Sequence, residues 1–209
     1  MKYHLLHKRV GDICSVHSGY TARGRLQPAT HSGSLAIQLG DFPQNGKIAP
    51  ARLTRVEFKG QTDRFLVGQG DVLFRSRGDR NIAVALDGRF TERAVAVLPL
   101  YVLRPITDLI QPEYLAWIIN LTPSQRYFDR VALKTTIRMV SRSSVESLEI
   151  KIPSLELQRK ITTLDGLAER EHALTVLAAD RRRDLNRLLL KGCIGDQIAD
   201  NESGLIEER

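Results

Sequence analysis

Three short basic segments hold the residues best suited to grip an anion. They are Arg23-Gly24-Arg25, the run from Arg75 to Asn81 with Arg77 and Arg80, and the run from Lys134 to Arg138 with Thr135. A guanidinium fork matches the paired acceptors of guanine, a carboxamide matches adenine, and lysine and threonine suit phosphate oxygens. The chemistry these nine residues offer is contact with a nucleic acid: Arg23, Arg25, Arg75, Arg77, Arg80, Asn81, Lys134, Thr135 and Arg138. Taken singly, each segment also reads as a solvated bend.

Groups that could perform catalysis are sparse. Glu149-Ile150-Lys151 has the acidic-x-Lys spacing of half a metal-dependent nuclease centre. It sits in an alternating stretch that equally suits a strand surface. His4, His7, Cys14 and His17 are ligand types, but they lack the close cysteine spacing of a structural zinc site. Neither a phosphate-binding G-x-x-x-x-G-K-[ST] loop nor a G-x-G-x-x-G fingerprint occurs. An Asn-Pro-Pro-Tyr/Phe tetrad is also absent. No catalytic residue, metal or cofactor is expected.

The charge is unevenly spread. Residues 1–146 carry 21 Lys/Arg against 12 Asp/Glu, and residues 147–209 carry 10 against 12, so the whole excess of +7 lies in the first part. A basic surface gains affinity for a polyanion by releasing its counterions. With 42% hydrophobic and 26% charged residues, the chain is neither disordered nor membrane-embedded in composition. The longest apolar run, Ala94 to Leu103, contains Pro99 and is too short to span a bilayer. Two distant cysteines and no leader-like start make the cytoplasm the expected compartment.

The elements that must position the basic segments are mostly strands in the first hundred residues. The pattern predicts strands at 35–42, at 65–67 and 71–74 around Gly68 and Gly70, at 82–86, and within 94–103. Residues 10–18 suit either a strand or a helical turn. Gly-Asp recurs at 11, 40 and 70, as three polar turns with unlike flanks. From Pro112 the period becomes helical, and a second short helix follows Thr122 with Tyr127, Phe128 and Val131 inward. After Pro153 one long helix is predicted from about 156 to about 191, stopped at Gly192. At 1.5 Å per residue its roughly 36 residues reach about 54 Å. That length exceeds what a small domain covers, so its apolar stripe needs a partner. Ile161, Leu164, Leu167, Leu174, Leu177 and Leu188 are the candidate partner-facing residues. The fold class is therefore mixed α/β of the α+β type, a β-rich domain followed by a long coiled-coil-like helix.

Several phrases resemble the specificity subunits of type I restriction-modification systems. Val10-Gly11-Asp12-Ile13 with Ser18-Gly19 resembles the start of a target recognition domain. Leu66 to Ser76, with Gly70-Asp71-Val72-Leu73, resembles the family's central strand phrase. Ile150-Lys151-Ile152-Pro153-Ser154-Leu155-Glu156-Leu157-Gln158-Arg159-Lys160-Ile161 resembles its entry into the spacer helix, with Ser154 where a second proline is usual and Leu157 where glutamate often stands.

The resemblance implies a target recognition domain over residues 1–153, a spacer and dimerisation helix over 154–192 and a flexible tail over 193–209. It further implies a non-catalytic subunit that reads double-stranded DNA and docks adenine methyltransferase subunits, with restriction motor subunits added for cleavage. One domain and one helix make half of the usual arrangement, which implies a homodimer through antiparallel helices. The competing readings are a scaffold acting through its long helix and an Mg²⁺-dependent nuclease.

Overall fold

The computed structural model describes residues 5–29, 33–42, 47–132 and 138–204, with side chains through Gly192. The expected turn at 43–46 lies outside these residues. The chain divides into two compact units, Met1–Thr163 and Leu164–Arg209.

The first unit opens with strand β1 (Leu6–Arg9), a single helical turn α1 (Val10–Ile13) and strand β2 (Cys14–Ser18). Residues 10–18 thus use helical turn and strand in succession. Next come β3 (Ser34–Ile37), β4 (Thr54–Val56), β5 (Leu66–Val67), β6 (Val72–Arg75), β7 (Ala83–Ala85), β8 (Ala94–Ala96) and β9 (Leu100–Pro105). Helices α2 (Pro112–Asn120), α3 (Thr122–Val131) and α4 (Arg142–Glu146) lead to β10 (Glu149–Ile152). β2-β9-β6-β7 form one antiparallel sheet, and β4-β3-β8-β5 form a second in which β3 and β8 run parallel. β1 and β10 make a separate antiparallel ribbon.

Side-chain alternation assigns two cores. Val72 and Phe74 of β6 and Tyr101 and Leu103 of β9 pack with Leu115, Ile119 and Phe128 of the helices. Leu73, Leu100 and Val102 point the other way, onto Ile37, Ala94 and Ala96 of the second sheet. The β2-β9-β6-β7 sheet is therefore the middle of three layers, and burial on both faces is why its central strands read as unbroken apolar runs. Each fully buried Phe, Leu or Val here contributes roughly 1.5–3 kcal/mol. The 94–103 run is two strands, not one. Pro99 cannot donate to a ladder, so it falls between β8 and β9, which join different sheets.

The Gly-Asp pairs at 11, 40 and 70 do one local task. Asp12, Asp41 and Asp71 accept the backbone N–H three residues earlier, from Arg9, Gln38 and Gly68, at 3.2, 2.7 and 3.0 Å. The second of these turns shortens the strand expected at 35–42, because Leu39–Asp41 forms a 3₁₀ turn after β3 ends at Ile37. β1 and β4 were not legible because their residues are mostly exposed, and α4 is too short to show a period.

The turn after β7 carries a pH-dependent contact. Asp87 accepts from Arg89 Nε at 2.9 Å and from Lys47 Nζ at 3.0 Å. Burial pushes its carboxyl up, but these hydrogen bonds outweigh burial and hold it down to about 2. A folded value below the ordinary 3.8 stabilises the native state above that pH and loses the contribution as pH falls toward 2. Asp87→Asn is expected to flatten the acid limb of a melting-temperature profile in this window. An unchanged limb would show that the contact contributes nothing.

Helix α5 (Leu155–Gly204) begins in the first unit and supplies the second. Ser154 Oγ accepts the Leu157 N–H at 3.4 Å at its start. Gln158, fully buried, accepts from the Gln111 N–H at 2.8 Å and donates through Nε2 to the carbonyls of Leu109 and Pro153 at 3.0 and 2.9 Å. Ile161, partly exposed, packs on the first unit's own core. The expected stop at Gly192 does not occur. A helical glycine costs about 1 kcal/mol relative to alanine but ends a helix only by turning left-handed, and Gly192 keeps a negative φ. In the second unit every described side chain is exposed, Leu164, Leu167, Leu174, Leu177 and Leu188 included. No helix among the described residues is long and apolar enough to cross a membrane.

Candidate functional site

Topology gathers the basic segments. β2 and β6 both run antiparallel to β9, with Ser18 opposite Tyr101 and Arg75 opposite Leu100. Both strands therefore finish at the same end of the middle sheet. The segments bearing Arg23 and Arg25, and Arg77 and Arg80, leave from that end. Arg138, the described end of the third segment, arrives there as well. Met139 forms a bridge with Arg77, the Gly78 N–H donates to the Arg138 carbonyl at 3.2 Å, and the Val140 N–H donates to the Ser76 carbonyl at 2.8 Å.

Within this cluster the side chains divide into exposed cations and supports. Arg23, Arg25, Arg77 and Arg80 are exposed. The loop with Arg23 and Arg25 is held from beneath by Ala22 and Leu26, which pack against Ala36, Val56 and Val97. Arg75 is half-buried and donates from Nε to the Arg77 carbonyl at 3.0 Å. Its guanidinium occupies the space a Cβ on Gly78 would need, and Gly78 has φ of 113°. Arg138 donates from Nη1 to the Asp79 carbonyl at 2.7 Å and places Nη2 2.6 Å from Asp129 Oδ1 on α3. Arg75 and Arg138 thus brace the turn.

Asn81 requires a correction. It is fully buried, donates from Nδ2 to the Arg75 carbonyl at 3.0 Å, and presents no group to a base edge. Lys134 and Thr135 lie outside the described residues.

Two supports were missed in the sequence. Asn120, the last residue of α2, accepts the Ala83 N–H and donates to the Ala83 carbonyl, both at 2.8 Å, as a neighbouring strand would. Gln125 donates to the carbonyls of Asn81 and Ile119 at 2.7 and 2.9 Å. Their only signal was a carboxamide near a helix end. Together with Asn81 they tie the floor of the basic turn to α2 and α3.

The groups considered for catalysis have ordinary surroundings. Burial and then the Glu146 charge push the Cys14 thiol up to about 12, and its Sγ donates to the Val10 carbonyl at 3.1 Å, so it is an unreactive core residue. Glu149 and Lys151 are exposed on β10, alternating with buried Ile150 and Ile152, and Glu149 lies 3.9 Å from Arg9. Among the described residues no three His, Cys, Asp or Glu side chains are grouped to hold a metal ion.

No family model matches the chain. Solved structures do resemble it. A chain from work on complex assembly and conformational transition of the type I R-M system matches with a TM-score of 0.61 at 20% identity, over 88% of this chain and 43% of that one. The HsdS subunit from Thermoanaerobacter tengcongensis matches with a TM-score of 0.57 at 18% identity, over 82% of this chain and 39% of that one. The S subunit of a type I restriction-modification system from M. genitalium gives 0.54 at 15% identity, over 87% and 43%. The chain spans less than half the length of each. At these identities the likeness is one of architecture: the chain has the fold of type I restriction-modification S subunits over somewhat less than half of their length.

Proposed function

We propose that this chain is a non-catalytic module that reads double-stranded DNA by sequence and delivers it to the modification and restriction subunits of a type I restriction-modification system. The observation that carries the reading is the convergence of three basic segments at one end of a sheet whose fold is that of S subunits. Arg77 and Arg80, with Arg23 and Arg25, are the candidate contacts to bases and phosphates. Arg75 and Arg138 position them, and Lys134 and Thr135 are the proposed phosphate contacts of the third segment. Residues 1–153 form the reading domain, and α5, which continues past the expected end at 192 to Gly204, is the spacer helix. A second copy, bound through antiparallel helices, completes the pair of reading heads, and the dimer recognises an interrupted inverted repeat.

Binding of the full chain to a randomised duplex pool at several salt concentrations tests the class. The logarithm of the binding constant is expected to fall steeply with the logarithm of salt, by about 0.9 per phosphate neutralised. A flat dependence would replace DNA reading with a scaffold role for the helix.

A further inference from the structure

The exposed stripe of α5 carries its own instructions for register. With Leu164 and Leu167 as the first a and d positions of a heptad, the seam continues through Glu171, Leu174, Ala178, Arg181, Leu185 and Leu188. The five leucines are 55–67% exposed in the single chain. Such a strict seven-residue stripe drifts by about 20° per heptad on a straight helix and favours a left-handed pair. Six of the eight seam positions are apolar, and the two interruptions have opposite charge.

We infer that a second copy of this chain docks on this stripe antiparallel, about a two-fold axis beside Val176, with Glu171 of each copy facing Arg181 of the other. The inference rests on the antiparallel dimer reading above and adds its register. In an antiparallel pair an a position faces a d position, and two-fold symmetry makes each contact occur twice. This register sets Leu164 against Leu188, Leu167 against Leu185, and Leu174 against Ala178. Both polar interruptions are satisfied by one ion pair, Glu171 with Arg181. At the flanking positions Arg170 meets Asp184 and Leu177 meets its own symmetry mate.

Charge along the helix selects the same orientation. Residues 164–180 carry one Arg against four Asp/Glu, whereas 181–191 carry five Lys/Arg against one Asp. Antiparallel packing lays the acidic stretch on the basic one. A parallel, in-register pair would set Glu171 on Glu171 and Arg181 on Arg181, and like charges in a shared seam are repulsive. Neither residue forms an ion pair within its own chain among the described residues, where Arg183 and Arg187 take Asp180 and Asp184 instead. Polar pairs in an apolar seam are the devices that fix register and partner choice.

Charge exchange tests the inference in the full-length chain by sedimentation equilibrium. Glu171→Arg and Arg181→Glu, each alone, are expected to weaken dimerisation by about ten-fold or more, because both symmetry-related pairs become repulsive. The double exchange, and a mixture of the two single variants, are expected to return to within about three-fold of the original constant. Circular dichroism confirms that each variant keeps its helix. If the unaltered chain stays monomeric at micromolar concentration, the dimer reading fails and this inference with it. Should the chain dimerise while the single exchanges leave the constant unchanged, or the double exchange fail to restore it, the register is wrong and the dimer stands.

Discussion

Gln158→Met is expected to lower the stability of the first unit by on the order of 3–5 kcal/mol, because methionine keeps the volume and removes every side-chain hydrogen bond. Three backbone groups would lose their partner inside a buried site: the Gln111 N–H and the carbonyls of Leu109 and Pro153. Leaving a buried polar group unpaired costs about 1–3 kcal/mol each, more than the bond itself contributes. Gln111 is also the residue before α2, so its N–H has no place in that helix's own ladder. Urea unfolding followed by the fluorescence of Trp117, the single tryptophan, reads this unit directly. Glu156→Ala, on the exposed side of the same turn, should change stability by less than about 0.5 kcal/mol. A loss below about 1 kcal/mol for Gln158→Met would mean that water replaces the carboxamide and that the site is not the anchor of the helix.

Replacing Arg23, Arg25, Arg77 and Arg80 together by glutamine is expected to weaken duplex binding by on the order of a hundred-fold at moderate salt. If each arginine neutralises one phosphate, the salt slope should become shallower by about three to four. An arginine that reads guanine will also relax specificity at its own base, worth about 1–3 kcal/mol. The control, which removes two charges away from the cluster, is Lys8→Gln with Lys151→Gln on the β1–β10 ribbon. That ribbon leads into β2 at the end of the sheet opposite to the basic cluster. The control should keep affinity to within about three-fold. Equal losses in the two variants would mean that net charge governs binding and the sheet end has no special part.

The sequence by itself determined which apolar runs would be buried and where the charge excess would lie. Periodicity located α2 and α3, the two-sided burial of β6 and β9 produced their solid apolar runs, and the Gly-Asp pairs marked real turns. The exposed leucines of α5 were legible for the same reason, since an amphipathic stripe is a local property of the chain. Tertiary structure alone decided the rest.

Asn81 and Arg80 are neighbours of similar polarity, yet one is sealed beneath the turn and the other is open, because Gln125, 44 residues away, closes over the Asn81 backbone. Gln158 stood in a recognisable phrase, but its task was invisible until Gln111 and Leu109, 47 and 49 positions away, came within hydrogen-bond reach. Pro99 marked a break that local pattern could not distinguish from a strand end, and only the pairing of β8 with β3 and of β9 with β2 and β6 sent its two sides into different sheets. The common cause is physical. Hydrophobic burial depends on a residue's own type and spacing, whereas a hydrogen bond or a strand pairing depends on which distant backbone the fold brings alongside.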